Sequence, residues 1–349
     1  MLSDLNKNNF YVFIIPDSRK HGAQNFFRRL HENFDSKNKM LVIEEKSSFI
    51  QNFFLLSKLS KGNKLKLTTT VNSNKLGLVF KIFHPTTTLI SRLGNTISQE
   101  INTRTLKFFG HKLFYLLLTI FSKKIVFQSE LMRKDFINFF NFHKSINKYL
   151  VIHNGVDSAA ENDILMPDLT QAINLSKINF LLVGSFKHQK GYDIFFSALD
   201  CLDNALAKKI HFHVCGAGDE FEYFQKLLSN SKYQEIVTLH GELDPSFFYQ
   251  HCNAYLLPSR YEGFSNSLIE ALSYGLPAIV ADCPSANREV IEENFNGIFF
   301  VNENYQDLHK KINYMSENHA QFDQGLIKQD VKNRFSISVI ASIYKDLYT

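Results

Sequence analysis

The sequence predicts an α/β protein with two domains, each built around a parallel β-sheet. Short apolar runs of strand length alternate with segments of helical periodicity, a pattern typical of βαβ units and parallel sheets. The runs form two series, separated by a polar stretch without periodicity at residues 154–176. At 349 residues the chain has the length of two ordinary domains rather than one.

Each half of the chain contains five predicted strands. Those of the first half are Phe10–Ile15, Met40–Ile43, Thr88–Arg92, Ile125–Gln128 and Tyr149–His153. Those of the second half are Phe180–Val183, His211–Cys215, Val237–Leu239, Ala254–Leu257 and Ala278–Val280. We expect a cleft between the C-terminal edges of the two sheets, because open parallel sheets bind their ligands at those edges.

Two further segments are predicted to be helices. In the segment from Ser336 to Tyr348, Ser336 is a candidate N-cap. One face of this helix is expected to carry Val339, Ile340, Ile343, Tyr344 and Leu347. The segment from Leu106 to Phe121 is strongly apolar and flanked by lysines, which suits a helix covering a sheet or a helix lying in a membrane interface. We favour the covering helix, because the predicted strand Ile125–Gln128 follows it directly.

The composition excludes several classes of protein. Hydrophobic residues make up 44% and charged residues 21% of the chain, as in soluble globular proteins. The longest apolar candidate, Phe114–Phe121, is much shorter than the roughly 18 residues of a membrane span. The first residues show no basic segment followed by an apolar one, so we expect no signal peptide. The four cysteines lack paired-ligand spacing, which indicates reduced thiols in a cytoplasmic protein.

Charge is divided unevenly along the chain. Residues 1–150 hold 24 Lys and Arg against 9 Asp and Glu, a net charge of +15, whereas residues 151–349 carry −10. No acidic residue lies between Glu45 and Glu100, a stretch whose basic residues are Lys46, Lys58, Lys61, Lys64, Lys66, Lys75, Lys81 and Arg92. This asymmetry favours a polyanionic partner such as an anionic membrane surface or a lipid-linked diphosphate. The alternative is a lysine-rich surface that is merely solvated. Nucleic acid is not expected, because no recognised binding motif accompanies the charge.

Two glutamates eight positions apart are the most informative feature of the second half. Glu262 follows the apolar run Cys252–Pro258, and Glu270 lies in the next predicted helix. Gly263 permits a tight turn between them, and three good N-cap residues follow, Ser265, Asn266 and Ser267. Ser267 and Glu270 also have capping-box spacing. A strand, a glycine turn and a helix N-terminus make an anion site, and a carboxylate one turn later suits neighbouring sugar hydroxyls. The predicted ligand is therefore a nucleotide-sugar.

This stretch resembles the E-x7-E signature of retaining glycosyltransferases of family 4, whose members often read S-x-x-E-G-F-x-x-x-x-x-E-A-x-x-x-G-x-P. The matching positions here are Ser259, Glu262, Gly263, Phe264, Glu270, Ala271, Gly275 and Pro277. The resemblance implies the GT-B fold, which has two Rossmann-like parallel-sheet domains facing a central cleft.

A second motif of the family lies at Leu181 to Asp193, which resembles V-G-R-L-x-x-x-K-G. Gly184, Lys190 and Gly191 match, and in the family the lysine holds the donor diphosphate. Ser185 stands where the family has an arginine, so one charge of the expected diphosphate clamp is missing. Lys187 and Arg260 are candidates to replace it. Near by, Gly216 and Gly218 resemble a turn-forming G-x-G, and His240 suits either a ligand contact or a structural role.

The first half resembles the family more loosely. Gly22 is what remains of a glycine-rich loop that approaches the donor phosphates in the family. Asn95 occupies the position of a histidine that contacts the donor sugar, and we expect it to take that role. The chain contains no D-x-D motif, so we expect no metal or other cofactor. Lys190 and the helix N-terminus would instead neutralise the diphosphate.

The resemblance implies three regions: an acceptor-side domain at 1–170, a donor-binding domain at 171–330, and a C-terminal helix at 331–349 that packs on the first domain. The implied activity is transfer of a hexose or N-acetylhexosamine from a UDP-sugar to a glycan acceptor, lipid-linked, in cell-surface polysaccharide assembly. The implied location is cytoplasmic, on the inner face of the membrane. A nucleotide-sugar epimerase and a non-catalytic scaffold of the same fold are the alternatives.

Within that activity the residues take separate roles. Glu262 and Lys190 are the predicted catalytic residues. Glu262 would hold the donor sugar, Glu270 the ribose diol, and Lys190 the departing UDP. The predicted donor-binding residues are Gly22, Ser185, Lys190, Gly263, Phe264, Ser265, Asn266, Ser267, Leu268 and Glu270, with Asn95 as a further sugar contact.

Overall fold

The structure, a computed structural model, describes residues 10–15, 22–34, 40–44, 48–70, 73–94, 96–101, 107–157 and 173–348. The chain divides into two compact units. Unit 1 comprises Met1–Asp157 together with Phe335–Thr349, and unit 2 comprises Ser158–Arg334. The C-terminal segment therefore belongs to the same unit as the start of the chain.

Unit 1 contains a parallel sheet of six strands in the order β2-β1-β3-β4-β5-β6. The strands are β1 (Phe10–Ile15), β2 (Met40–Glu44), β3 (Leu65–Thr69), β4 (Thr88–Arg92), β5 (Lys124–Phe127) and β6 (Tyr149–Val151). The helices are α1 (Gly22–Glu32), α2 (Phe49–Ser60), α3 (Asn74–Phe83), α4 (Ile97–Glu100), α5 (Lys107–Phe121) and α6 (Glu130–Phe140), with α15 (Ile337–Asp346) at the C-terminus.

Unit 2 contains a second parallel sheet of six strands in the order β12-β11-β10-β7-β8-β9. Its strands are β7 (Ile178–Val183), β8 (Ile210–Cys215), β9 (Val237–Gly241), β10 (Ala254–Leu257), β11 (Ala278–Asp282) and β12 (Gly297–Val301). Its helices are α7 (Tyr192–Leu199), α8 (Asn204–Lys209), α9 (Phe221–Ser229), α10 (Ser246–His251), α11 (Asn266–Ser273), α12 (Asn287–Val290), α13 (Tyr305–Asn318) and α14 (Gln324–Phe335).

All ten predicted strands are present, with ends that differ by at most two residues. Two strands were not predicted, β3 and β12. In β3, lysines interrupt the apolar run, and Lys66 is accommodated because its ammonium donates to the Tyr348 carbonyl at 2.7 Å. In β12 the first residue is Gly297, where a Cβ would lie 2.5 Å from the Ala278 carbonyl oxygen of the neighbouring strand. Both strands depend on distant contacts that a local pattern does not contain.

Helices cover both faces of the unit 1 sheet. On one face α1 and α15 enclose a core that includes Phe13, Ile90 and Val126. On the other face the helices between consecutive strands pack against buried leucines and phenylalanines. Because right-handed crossovers from β2 to β3, β3 to β4 and β4 to β5 all run in one direction across the sheet, α2, α3 and α5 lie on this second face.

The C-terminal helix forms as predicted, and Ser336 is its N-cap, but its buried face is different. The buried residues include Ile337, Ile340 and Tyr344, whereas Val339 and Ile343 are exposed. The predicted grouping of Val339 and Ile343 with the core is therefore wrong. The apolar stripe of α15 is broad, so the sequence does not define which of its residues face the core. The packing of α15 against α1 decides this.

Some basic residues of the first half do not contribute to a charged surface. Arg92 is buried, and its guanidinium donates to the Ile152 carbonyl at 3.3 Å, to the Tyr344 hydroxyl and to the Asn154 side chain. Lys66 is half-buried against the C-terminal segment, as described above. Lys81 is half-buried too, and its ammonium donates to the Pro85 and Thr87 carbonyls at 2.6 Å. The predicted basic surface therefore loses these three residues, while Lys58, Lys61, Lys64 and Lys75 remain exposed and Lys46 lies outside the described residues.

The strongly apolar helix α5 covers the sheet with one side only. Tyr115, Leu118 and Thr119 face the core, whereas Phe109 and Leu113 lie on the outside and are exposed. The prediction of a covering helix is correct for the inner side and does not account for the outer one. Nowhere in the described ranges does a helix combine the length and the apolar character needed to cross a membrane.

Candidate functional site

The predicted site residues of the second half gather at the C-terminal edge of the unit 2 sheet. Strands β10, β7 and β8 are neighbours in that sheet, although β10 lies far from the other two in sequence. Their following loops carry Glu262, Ser185 and the pair Gly216 and Gly218, respectively. Parallel strands deliver the residues after their C-terminal ends to a common edge, which is where ligands of such sheets bind.

An ion pair stands at the centre of this edge. Lys190 Nζ lies 2.6 Å from Glu262 Oε1, and the hydroxyl of Ser259 donates to the same oxygen at 2.8 Å. Glu262 is 7% exposed, so its charge is largely withdrawn from water and depends on these partners. The two predicted catalytic residues are therefore in direct contact.

Gly191 allows the loop after β7, which carries Lys190, to pack against the loop after β10, which carries Glu262. Gly191 has φ +67°, and a Cβ at this position would lie 2.1 Å from the Pro258 carbonyl oxygen. The backbone N–H of Arg260 donates to the Gln189 carbonyl at 2.8 Å, which ties the two loops together directly. Only glycine allows both the left-handed conformation and this close approach. The glycine after Lys190 is thus required by geometry, and the Lys190–Glu262 pair depends on it.

The two glycines after β8 have a related function. A Cβ on Gly216 would lie 1.9 Å from the Gly184 carbonyl oxygen, and one on Gly218 would lie 2.7 Å from the Phe186 backbone. Gly184 and Phe186 flank Ser185, so the G-x-G segment packs directly against the backbone of the Ser185 loop. The predicted turn-forming role is confirmed, and close packing against the neighbouring loop is an additional reason for both glycines.

Of the two candidates to replace the missing arginine, Arg260 is already used. Its guanidinium makes a bidentate pair with Asp193 at 2.8 and 2.6 Å and donates to the His188 carbonyl at 2.7 Å. The pair lowers the pKa of the Asp193 carboxyl, first through the hydrogen bond from Arg260. Lys187 is exposed, and no ion pair is seen for it in the described part of the chain. Lys187 is therefore the remaining candidate for a second charge beside Ser185.

The helix that begins after Glu262 offers an N-terminus suited to an anion. Helix α11 starts at Asn266 with Ser265 as the N-cap, and the Ser265 side chain makes no capping hydrogen bond. The predicted capping box of Ser267 and Glu270 is wrong, because Ser267 lies inside the first turn. Its hydroxyl is instead 2.8 Å from the buried Tyr255 hydroxyl. A helix N-terminus whose N-cap side chain does not bond the first-turn N–H groups is suited to an anion, because those groups and the helix dipole favour negative charge.

Two predicted donor-binding residues point their side chains into the protein. Leu268 is fully buried and Phe264 is 8% exposed, so only their backbone groups could meet a ligand. Gly263 also has a backbone role, since its carbonyl accepts from the Ala286 N–H at 3.2 Å. These residues shape the loop and the first turn rather than offering side-chain contacts.

A buried tyrosine, which was not among the predicted site residues, contacts Glu270 from the protein interior. The Tyr249 hydroxyl lies 3.4 Å from Glu270 Oε2 and 3.3 Å from the Ser267 carbonyl. Burial, and then the charge of Glu270, raise the pKa of the Tyr249 hydroxyl well above its ordinary value, so it stays a donor. Nothing in the apolar run around Tyr249 distinguishes it from a core residue; only the fold brings it beside α11.

A histidine pair explains His240. Its Nε2 lies 3.1 Å from His213 Nδ1, and His213 Nε2 lies 3.1 Å from Asn179 Oδ1. Burial lowers the pKa of His213 to about 3 and that of His240 to about 4, so both are neutral near pH 7. His240 therefore has the structural role that was one of its two predicted possibilities.

Two predicted residues belong to unit 1. Gly22 is the first residue of α1. Asn95 lies outside the described residues, so its role as a sugar contact stays a prediction. Across the described ranges, no group of three or more His, Cys, Asp or Glu side chains is arranged to hold a metal ion.

Comparison with known sequences supports this description. Residues 170–330 match the family described as glycosyl transferases group 1. A Klebsiella pneumoniae protein, described as an uncharacterised 41.2 kDa protein in the cps region, is 27% identical over 215 residues, 58% of this chain and 56% of that protein. The lipopolysaccharide 1,6-galactosyltransferase of Escherichia coli is 29% identical over 177 residues, 47% of this chain and 49% of that enzyme. The chain thus aligns with about half the length of these relatives.

Comparison with solved structures covers nearly the whole chain. The Anabaena protein HepE, in complex with UDP and glucose, has a TM-score of 0.78 at 16% identity, over 97% of this chain and 99% of that one. The predicted α/β class with two parallel-sheet domains of the GT-B type is thereby confirmed. Within it, residues 170–330 are the part of the chain that is similar to the glycosyl transferases of group 1.

Proposed function

We propose that this protein is a retaining glycosyltransferase, similar to family 4, that moves a hexose or N-acetylhexosamine from a UDP-sugar to a glycan acceptor. The observation that carries the proposal is the contact of Lys190 with the buried Glu262, 2.6 Å apart, beside the first turn of α11, whose N-cap Ser265 makes no side-chain capping hydrogen bond. A cation, a carboxylate and a helix N-terminus at one sheet edge match the diphosphate and the hydroxyls of such a donor.

The ion pair leaves Lys190 able to act on phosphate. An ammonium has three N–H donors, and one of them is used by Glu262. The others can reach a diphosphate seated at the first turn of α11, where the backbone N–H groups from Phe264 to Leu268 add further donors. The charge that develops on UDP as it departs is thus stabilised by groups already in place.

Glu262 then has a second partner in the ternary complex. Its Oε1 is held by Lys190 and Ser259, and the carboxylate has a second oxygen for a hydroxyl of the donor sugar. Fixing the sugar in this way aligns its anomeric carbon with the acceptor. The bond from that carbon to the diphosphate breaks, the bond to the acceptor oxygen forms on the same face, and the acceptor proton passes to the departing phosphate oxygen.

Glu270 is assigned to the ribose. It lies one turn beyond the N-terminus of α11, and Tyr249 approaches its Oε2 from the protein side at 3.4 Å. A carboxylate that is held by a hydrogen bond from the protein interior can accept hydrogen bonds from two neighbouring hydroxyls. Charge neutralisation by Lys190 and the helix N-terminus needs no metal in this proposal.

The relatives support the choice of donor and acceptor. HepE binds UDP and glucose in its solved complex, one relative is a lipopolysaccharide galactosyltransferase, and another is encoded in a cps region. We therefore infer a UDP-sugar donor and a lipid-linked acceptor in cell-surface polysaccharide assembly, with the enzyme at the inner face of the cytoplasmic membrane.

The test is UDP release from a panel of UDP-sugars, with and without a lipid extract that contains candidate acceptors. Wild-type protein should release UDP faster with acceptor, and Glu262→Gln should lose most of that rate. Interconversion of the UDP-sugar without acceptor would show an epimerase instead. Failure to bind any UDP-sugar would show a scaffold that has kept only the fold.

A further inference from the structure

We propose that the outer face of the α2, α3 and α5 layer in unit 1 docks onto an anionic lipid bilayer by inserting apolar side chains. This docking face is defined by the exposed residues Phe54, Phe83, Phe109, Leu113, Leu116 and Ile120. The inference deepens the proposed function by naming the surface through which the enzyme would reach a lipid-linked acceptor. The binding itself requires nothing from the donor site in unit 2.

The apolar residues of the docking face are unusually exposed. Phe54, Phe83 and Phe109 expose 67%, 70% and 69% of their surface. On α5 the exposed side chains follow the spacing of one helical side, since Phe109, Leu113, Leu116 and Ile120 are four, three and four residues apart. Single exposed apolar residues are normal in globular proteins, but a cluster of this kind indicates an interaction surface.

These side chains lie on neighbouring helices of one layer. Helix α2 packs on α3, and α3 packs on α5, all on the same face of the sheet. The half-buried ring of Phe53 lies with its centroid 6.3 Å from that of Phe54 and 5.9 Å from that of Phe83. The aromatic residues of α2 and α3 are thereby joined across the helix interface.

The charge around the docking face decides its partner. Helices α2, α3 and α5 contain no aspartate or glutamate, while Lys58, Lys75 and Lys107 are exposed on them. Lys61 and Lys64 follow directly after α2 and are also exposed. Apolar side chains flanked by lysines match a bilayer with anionic headgroups, because the lysines meet phosphates while the aromatic rings enter the acyl boundary.

The acidic residues on the next helix of the layer are already used within the fold. On α6, Glu130 pairs with Arg133 at 2.6 Å, and Asp135 accepts from the Ser98 N–H at 3.0 Å. Helix α6 also carries Arg133 and Lys134, both paired with Glu130, so its two acidic and two basic residues add no net charge at this edge of the docking face. A second copy of the chain is the poorer partner, because two such faces would bring like charges together.

Vesicle sedimentation of the full chain tests the inference. Phosphatidylcholine vesicles are compared with vesicles that also contain phosphatidylglycerol, at low and high salt. Wild-type protein should bind the anionic vesicles, and replacing Lys58, Lys61 and Lys64 by glutamine should weaken binding by about tenfold or more at low salt. Replacing Phe54, Phe83 and Phe109 by serine should weaken it as much at either salt concentration, because insertion is not screened.

Matched variants in unit 2 serve as controls. Tyr223 and Leu326 are exposed apolar residues there, and Lys208, Lys209 and Lys226 are exposed lysines. Replacing Tyr223 and Leu326 by serine, and Lys208, Lys209 and Lys226 by glutamine, should leave vesicle binding unchanged. UDP affinity, measured in every variant, reports that unit 2 is intact.

Three outcomes would overturn the inference: wild-type protein that binds no vesicles, the serine variant binding as well as its control, or a lipid-free dimer that this variant abolishes. The last result would assign the face to a second copy of the chain. Protein that binds UDP but no vesicles contradicts only the docking face. Protein that binds vesicles but no UDP contradicts only the proposed function.

Discussion

The two units share one architecture but use their buried cations in opposite ways. In unit 1, Arg92 is buried among neutral oxygens, and its bond to Tyr344 ties α15 to the sheet. In unit 2, Lys190 is paired with a carboxylate at the sheet edge and keeps donors for a ligand. A buried charge with neutral partners stabilises a particular packing, whereas a buried pair at a ligand edge is suited to chemistry.

The two units also differ in the surfaces that they offer to binding partners. Unit 2 brings its polar motifs to one edge of the sheet, where glycines allow the loops to touch. Unit 1 instead exposes the apolar and basic docking face on its helix layer. The family match at residues 170–330 follows unit 2 and not unit 1. Both units thus contain a sheet of six parallel strands, and their loops and outer helix faces determine what each unit can bind.

The largest expected effect comes from Gly191→Ala in unit 2. A Cβ there would meet the Pro258 carbonyl oxygen at 2.1 Å, so the loops after β7 and β10 must separate. We expect a loss of about 2 to 4 kcal/mol in the free energy of unfolding, together with loss of UDP binding. Denaturant unfolding and calorimetry measure the two effects.

Gly62→Ala in unit 1 is the matched control. Its φ is +80°, yet a Cβ would have nothing within 4 Å. Only the conformational cost of about 1 kcal/mol should remain, and UDP binding should not change. Equal losses at both positions would show that close contact between the loops is not what makes Gly191 necessary.

Glu270→Ala should weaken UDP binding without unfolding unit 2. If Glu270 holds the ribose as proposed, the change removes a charged acceptor from two hydroxyls, a loss on the order of 2 to 4 kcal/mol in binding free energy. Calorimetry with UDP and with 2′-deoxy-UDP separates the ribose contact from other effects. If both nucleotides bind the variant as they bind wild-type protein, the ribose assignment is wrong.

The buried histidines of unit 2 predict a pH dependence of stability. The pKa of His213 falls from about 6.5 when unfolded to about 3 in the fold, so below pH 6.5 the unfolded chain binds a proton that the fold excludes. This stability is complete above pH 6.5 and is lost as the pH falls, by about 2 kcal/mol at pH 5. Urea unfolding of His213→Gln should show a flatter pH profile, whereas the exposed His111→Gln in unit 1 should keep the wild-type slope.

Glu262→Gln should lower turnover by about tenfold or more while UDP affinity stays close to the wild-type value. The amide keeps the shape of the side chain but loses the charge that pairs with Lys190 and that, in the proposed function, holds the donor sugar. Steady-state kinetics and UDP calorimetry on the same preparation check both numbers. A parallel fall in UDP affinity and turnover would make Glu262 a structural residue.

Ser185→Arg is expected to have the smallest effect. If the diphosphate lacks one positive charge, an arginine there should tighten UDP binding slightly or leave it unchanged. Lys187→Gln is the companion variant, and it should weaken binding modestly if Lys187 supplies the second charge. Weaker UDP binding by Ser185→Arg would mean that another group already fills that space.

Much of the site could be predicted because its residues are close in sequence. Glu262, Gly263 and Glu270 stand in one strand–turn–helix segment, and Lys190 with Gly191 in another, so local spacing was enough to predict where in the fold they lie. Tyr249 could not be found in this way. It looks like a core residue of a short apolar helix, and only the parallel order of the sheet brings α10 beside α11.

The same contrast applies to the basic residues. Composition alone showed the positive first half, but it counted Arg92 and Lys66 together with exposed lysines. Burial against α15 and the C-terminal carbonyls separates them, because those partners lie more than two hundred residues away. The local sequence pattern carries no information about contacts between residues so far apart.

In the part of the chain that the structure describes, the sequence by itself determined the fold class, ten of the twelve strands and the strand–turn–helix setting of the unit 2 motifs, since alternation and turn glycines act over a few residues. Only the tertiary structure decided that Lys190 and Glu262 form a pair, that Arg260 is already bound to Asp193, and that α5 leaves one apolar side uncovered. Each of these depends on which loops and faces the parallel sheet order brings together, and that order is set by packing across the whole unit.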